Sequence, residues 1–423
     1  MTIENLRIGI LFLYLLKEAF EYLVQGLNIN HMRRSGTKLP SEFEGKVDKE
    51  TLKRMQDYEA DKTYFNIYSS LFGNIVTIAF FFGGLLNIYN TWITSLNLPF
   101  LISGWIFFVI LIFAATFLEV PFNLFYTFRI ENRYGFNTTT FGLWISDFLK
   151  SLIITLILSS IIIIAGLYLL RLSPNYWWLL IWGFLFFFGL FIMYISPYVI
   201  EPLFNKFTPI EDESLKEKIS YLAERAGIHI GRILRVDASR RSRHTNAYFT
   251  GIGKTKRIVL YDTLLKSMSN EEILAVLAHE IGHWKRKHLL KTLFAFETLS
   301  LIAIYVSFRL IEGDFILRLF HIDTDTVFVK FAVLAFIGGI LSLPLQVTFN
   351  YFSRRYEREA DRVSYDLTKD PQNMISALVK LSEENLSNLY PHPLYVLLYY
   401  SHPPISERIR RIGNRDRANK RAG

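Results

Sequence analysis

Seven stretches of this chain are apolar for long enough to cross a bilayer, and that pattern restricts the fold more than any other feature. About 20 residues at helical rise cover the roughly 30 Å of hydrocarbon. The runs at 6–28, 67–92, 101–126, 151–170, 176–200, 292–311 and 327–352 each reach that length. The chain therefore reads as an α-helical integral membrane protein with seven transmembrane helices. Composition agrees, since 51% of 423 residues are hydrophobic and 37 are Phe, too apolar for an ordinary globule and far from disordered or collagenous chains. Cysteine is absent, which removes thiol nucleophiles, disulfides and thiolate ligands, so a zinc site would need imidazole and carboxylate.

The first run carries Lys17, Glu18 and Glu21 and has neither a strongly basic start nor a small-residue cleavage site. It is read as a spanning helix and not as a signal peptide. Glu18, Glu21 and Gln25 share one helical face, and Glu119 and Asn123 in the third run are four apart. Lipid does not tolerate such stripes. They imply either hydrogen bonding between helices or a water-filled interior.

Basic residues assign the sides. Lys and Arg number 8 in 29–66, 3 in 127–150, 16 in 201–288 and 13 in 353–423, against 0 in 93–100, 1 in 171–175 and 2 in 309–326. The positive-inside rule puts the first set in the cytoplasm, with the N-terminus outside and the C-terminus inside. The formal charge of +9 then reflects topology and anionic headgroups. No nucleic-acid partner is expected, because no aromatic platform accompanies Arg408, Arg410, Arg411, Arg415 and Arg417.

The chain divides into five N-terminal spans (1–200), an inserted polar unit (201–290), two further spans (291–352) and a polar C-terminal helical region (353–423). Within 29–66, charges alternate at helical spacing, as expected of a solvated helix leading into the second span. The insert begins with a helical pattern over 213–226 stopped by Gly227, followed by β-branched and aromatic runs at 233–238, 247–252 and 257–261 that read as strands. Ser269 or Asn270 caps the next helix, with Glu271 and Glu272 in its first turn. This is a small cytoplasmic α+β unit.

That helix carries His279-Glu280-Ile281-Gly282-His283. Residues four apart share a face, so both imidazoles reach one ion while Glu280 falls beside them. A carboxylate there takes a proton from the attacking water and hands it to the leaving amine, while zinc acidifies that water and polarises the scissile carbonyl. Ile273, Leu274, Val276, Leu277 and Ala278 bury one side of the helix, and Gly282 leaves room beneath the metal. Trp284-Lys285-Arg286-Lys287-His288 belongs at a membrane surface, which argues against an intramembrane site. Just after the last span, Glu357 and Asp361 are again four apart. Glu357 completes a His2Glu site and Asp361 accepts the free ring N–H of a ligand histidine, or the pair belongs to an exposed helix salt-bridged among its arginines.

These residues together resemble the M48 membrane zinc metalloproteases, specifically the Ste24-type CAAX prenyl proteases. The resemblance rests on His279-Glu280-x-x-His283 and Glu357-x-x-Ala360-Asp361, and extends through the Tyr134-Gly135-Phe136-Asn137, Pro202 to Pro209, His244 to Phe249, Arg257 to Leu265 and Ser401-His402-Pro403-Pro404 segments. It implies a hollow seven-helix barrel enclosing a large water-filled chamber, with one Zn2+ per chain at its cytoplasmic end. It further implies Glu357 as third ligand, Glu280 as general base and Asp361 as support for a ligand histidine. Asn246 would hold substrate backbone, and Ala247, Tyr248 and Phe249 would add a peptide strand by edge pairing. His402 would stabilise the tetrahedral oxyanion, with Arg408 near the site. The implied activity is peptide hydrolysis, in the family the release of three C-terminal residues from a prenylated Cys.

The 309–326 connection is shorter than expected of eukaryotic members, which favours a bacterial inner membrane over the endoplasmic reticulum or inner nuclear membrane. Two other functions fit parts of the pattern. One is a general quality-control protease for membrane proteins, and the other a cavity-based transporter or binding protein with structural zinc. A structural zinc normally takes four protein ligands, whereas three are evident.

Overall fold

A computed structural model describes residues 2–251 and 257–422. The expected strand end at Ile252, and Gly253 beyond it, lie outside the described residues. In chain order the membrane half comprises α1 (Ile3–Ser35), α2 (Lys49–Phe81), α3 (Leu85–Ser95), α4 (Phe100–Phe125, widening into a π-helical turn over Tyr126–Glu131), α5 (Phe141–Leu172), α6 (Trp177–Val199) and the short α7 (Glu201–Phe204). The insert follows with β1 (Phe207–Pro209), α8 (Glu213–Arg225), β2 (Arg232–Val236), β3 (Ala247–Thr250), β4 (Arg257–Tyr261), α9 (Asp262–Ser267) and α10 (Asn270–Lys285). The remainder is α11 (His288–Ile311), α12 (Phe315–Leu319), α13 (Val327–Thr368), α14 (Pro371–Glu384), α15 (Pro393–Tyr399) and α16 (Ile405–Ala422).

Among the described residues, 6 helices are long and apolar enough to cross a membrane: Lys49–Phe81, Phe100–Glu131, Phe141–Leu172, Trp177–Phe204, His288–Ile311 and Val327–Thr368. These correspond to six of the seven apolar runs. The first run forms the 33-residue helix α1, which Lys17, Glu18 and Glu21 make too charged for that set. At most 22% of any of the six apolar windows is buried, so these side chains face away from the protein instead of filling a core. Neighbours touch in the order α1–α2–α4–α5–α6–α11–α13 and back to α1, the step from α2 to α4 running through the π-helical turn.

The two polar stripes resolve differently. Asn74 on α2 donates to Glu18 at 2.9 Å and to the Tyr22 hydroxyl at 2.7 Å and accepts from Tyr14 at 2.6 Å, while Lys17 lies 2.8 Å from Glu18 and 2.9 Å from Glu21. Glu18 is thus hydrogen-bonded between helices, whereas Glu21 pairs within α1. Glu119 instead is exposed on a cavity of about 470 Å³ that also touches Asn123, Asp147 and Arg241.

Two cores support the insert. In the first, α8, α10 and the sheet bury Leu215, Ile219, Ile258, Leu260, Ile273, Leu277 and Ile281, joined by Val363, Leu367 and Ala377 from beyond the last span. The second packs Leu52, Met55 and Tyr58 of α2 and Phe136 against α14 and α16. Residues 201–290 and 353–423 thus share one core although 291–352 separates them in sequence, and α13 (Val327–Thr368) crosses the expected 352/353 boundary unbroken. The sheet order is β1-β2-β4-β3, with β2 parallel to β4 and β3 antiparallel to it. Strand β3 is therefore an edge. The three-residue β1, paired antiparallel with β2, was not expected from sequence, being too short and proline-ended to carry a period-2 pattern. A third cluster, including Leu86, Phe107, Leu317, Phe320 and Phe328, closes the far end of the helices. It lies about 29 residues up α13 from Glu357, or roughly 43 Å at 1.5 Å per residue.

Candidate metal centre

Helix α10 starts at a capping box: Ser269 accepts from the Glu272 amide and Glu272 accepts from the Ser269 amide. Its apolar face enters the first core, which leaves His279 and His283 on the side that meets α13. Gly282 makes that meeting possible. A Cβ there would lie 2.8 Å from Ala360 Cα and 2.9 Å from Ala360 O. The expected space beneath the metal is therefore a contact between two backbones, and Ser364 ties the same pair by donating to Ala275 O at 3.0 Å.

The close approach brings Glu357 to both histidines. His279 Nε2 lies 3.2 Å from Glu357 Oε2, His283 Nε2 lies 3.1 Å from Oε1, and the two Nε2 atoms are 3.2 Å apart. One donor atom from each falls within 4.8 Å of the others. Glu357 is 3% exposed, and its Oε2 is buried without a hydrogen-bond partner. Two imidazole nitrogens and one buried carboxylate converging on a point, with an oxygen that lacks a hydrogen-bond partner among the described residues, match the kind of donor set that divalent metals take. The exposed, salt-bridged alternative for Glu357 is thereby excluded.

Asp361 Oδ1 lies 2.8 Å from His279 Nδ1, so the ring donates there and its Nε2 faces the cluster. Arg408, buried, clamps Asp361 with Nη2–Oδ1 at 2.7 Å and Nε–Oδ2 at 3.0 Å. Burial and the Arg408 charge push His279 toward neutrality, but the Asp361 and Glu357 carboxylates outweigh them and lift its pKa to about 9. His402, on the segment between α15 and α16, places Nε2 3.3 Å from Glu357 Oε1. Its side chain is 62% exposed, yet desolvation in the cleft, reinforced by Arg408, His279 and His283, outweighs the pull of Glu357 and holds its pKa below the ordinary range. Glu280 is half-buried and makes no hydrogen bond among the described residues, so its carboxylate is uncommitted.

The strand residues lie beside this cluster and not in it. Phe249 packs on Trp284, next to His283 (ring centroids 6.4 Å apart), which sets the β3 edge along α10. Ala247 is in the first core, the Tyr248 hydroxyl donates to Glu201 at 3.1 Å, and the exposed Asn246 accepts its neighbour's amide at 2.8 Å.

Two contributors escaped the sequence reading. His288 does not face a membrane surface. A left-handed Lys287 (φ 55°) turns the chain so that His288 Nδ1 lies 3.1 Å from His283 Nδ1, while its Nε2 lies 3.2 Å from Glu359 and its ring stacks on Tyr356 at 4.3 Å. Arg354 donates to Val396 O at 2.9 Å and Tyr400 O at 2.6 Å, tying the His402 segment to α13. Position in the motifs signalled neither.

A bundle of long apolar helices bearing a His-His-Glu centre on a polar α+β unit defines a membrane metalloendopeptidase. Residues 28–206 match the family described as CAAX prenyl protease N-terminal, five membrane helices, and residues 209–416 match peptidase family M48. The CAAX prenyl protease 1 homolog of Arabidopsis thaliana is 35% identical over 399 residues, covering 90% of this chain and 91% of that protein. CAAX prenyl protease 1 of Saccharomyces cerevisiae is 34% identical over 407 residues, covering 90% and 89%. The crystal structure of S. mikatae Ste24p superposes with a TM-score of 0.88 at 30% identity, over 96% of this chain and 98% of that one. The chain belongs to the M48 family, in its CAAX prenyl protease branch.

Proposed function

We propose that this chain is a zinc endopeptidase cutting near the C-terminus of prenylated CAAX peptides, with His279, His283 and Glu357 holding the metal and Glu280 as general base. The convergence of the three donors around the unsatisfied Glu357 oxygen carries the reading. Bound zinc would supply a Lewis acid and acidify the attacking water. Glu280, which makes no hydrogen bond among the described residues, accepts that water's proton and returns it to the leaving amine. Asp361 and Arg408 hold His279 in its ligating orientation, and the neutral His402 ring donates to the developing oxyanion. The peptide lies along the free edge of β3, its backbone fixed by main-chain hydrogen bonds and by Asn246. The prenylated class of substrate follows the names of the relatives.

The helices form a hollow seven-membered barrel, α1 included, facing the cytoplasm with its polar unit. The closed circuit of neighbours, the exposed apolar faces and the distribution of Lys and Arg support this. For the host membrane, the short 309–326 connection speaks for a bacterial inner membrane, while the eukaryotic sources of the relatives weigh toward the endoplasmic reticulum or inner nuclear membrane. In sequence order the chain runs from five spans (1–200) through the polar insert (201–290) and two further spans (291–352) to the C-terminal helical region (353–423).

The test is Glu280→Gln purified with zinc bound. Hydrolysis of a farnesylated CAAX peptide is expected to fall by about 10²–10⁴-fold, the usual worth of a general base. Wild-type turnover with zinc retained would refute the mechanism. In parallel, Glu357→Ala is expected to lose zinc.

A further inference from the structure

Where α5 and α6 meet the insert, a cavity of about 820 Å³ shares no lining residue with the metal cluster. Six cations line it, Lys150, Lys206, Lys216, Arg232, Arg240 and Arg257, and no Asp or Glu does. A merely solvated basic face would have these charges paired or pointing apart. Three have carboxylate neighbours outside the lining: Lys150 with Asp147 at 3.8 Å, Lys216 with Glu213 at 3.1 Å and Arg257 with Glu201 at 3.0 Å. The other three, Lys206, Arg232 and Arg240, are exposed and form no ion pair among the described residues.

Arg257 differs from the rest in being 7% exposed. Its guanidinium donates to Pro197 O at 2.6 Å, lies over the rings of Tyr198 and Phe207 at 5.5 and 5.2 Å, and keeps a buried Nε without an acceptor among the described residues. A buried N–H of a charged group without an acceptor is costly and uncommon, and Arg257 is one of the residues that line the cavity.

The position selects among anions. Lys150 immediately precedes the 151–170 apolar run, and Tyr198 near the end of α6 and Leu203 in α7, 44% and 48% exposed, line the cavity. The site is thus cationic inside, apolar at its rim and level with a bilayer surface, the arrangement that suits an anionic lipid. We propose that it binds the phosphate of an anionic phospholipid headgroup, with the acyl chains along α6. The proposal rests on α5 and α6 being membrane spans and is independent of the metal chemistry.

The test extracts full-length protein from phosphatidylcholine membranes containing phosphatidylglycerol into neutral detergent, with the lipid that stays bound through purification quantified by mass spectrometry. Wild type is expected to retain phosphatidylglycerol about tenfold over its bulk share, and the Lys206→Gln/Arg232→Gln/Arg240→Gln variant to lose that enrichment. The variant's zinc content and peptide hydrolysis in neutral detergent are expected to stay at wild-type level, which separates this site from the catalytic one. Arg232→Gln alone, at an exposed position, should give a partial loss if the triple variant proves unstable. Equal enrichment in wild type and variants, or none in either, would overturn the proposal. Binding of soluble glycerol phosphate as tight as that of phosphatidylglycerol would overturn the lipid assignment.

Discussion

At the level of single residues, the candidate site consists of constraints on imidazoles. His279 is held by Asp361, itself clamped by Arg408, and His283 faces His288, which is backed by Glu359 and Tyr356. Partners of this kind typically contribute 10–100-fold to metal affinity. His288→Ala is accordingly expected to weaken zinc binding by that factor in a chelator competition, with folding retained, and wild-type affinity would remove His288 from the site. The motif residues were readable because spacing of four on a helix dictates a shared face. His288 was not, because its position depends on the left-handed turn at Lys287, which no propensity of lysine announces.

The decisive element is α10, fixed at one end by its capping box and along its length by α13. Gly282→Ala would push a Cβ into the Ala360 backbone, and overpacking of this kind costs about 1–3 kcal/mol. The variant should melt earlier and lose zinc together with that contact, and an unchanged Tm would contradict the close packing. Burial raises the pKa of Glu272, but Lys380 at 2.7 Å, Ser376 and the Ser269 amide outweigh it, and the net shift is downward. A depressed folded pKa adds stability that is present above the unfolded value, about 4.3, and lost as pH falls through the folded one. The stability difference between wild type and Glu272→Gln should therefore narrow in acid below about pH 4.3, and a pH-independent difference would show that the Glu272 charge contributes nothing. The strands were legible from β-branched runs, whereas the order that leaves β3 at the edge was not, since pairing partners are set by packing between segments distant in sequence.

For the whole molecule the open quantity is how many helices cross. The absence of cysteine makes the question accessible, because single cysteines at exposed Glu4, Lys46 and Ser95 can be labelled without background. If α1 spans as proposed, Glu4→Cys and Ser95→Cys react with an impermeant maleimide from outside, and Lys46→Cys only after permeabilisation. Labelling of Glu4→Cys and Lys46→Cys from the same side would leave six spans. The sequence by itself determined the membrane class, the bias of basic residues, the zinc-type motif on α10 and the carboxylate pair on α13, because hydropathy and helical spacing are local properties of the chain. Only the tertiary structure decided that Glu357 and Asp361 meet the histidines instead of solvent, that Arg408 and His288 turn inward and that six cations surround one cavity. Glu357, Asp361 and Arg408 reach the histidines only because helices far apart in sequence pack together, His288 only because Lys287 is left-handed, and the six cations only because segments from Lys150 to Arg257 converge, and no local pattern encodes those meetings.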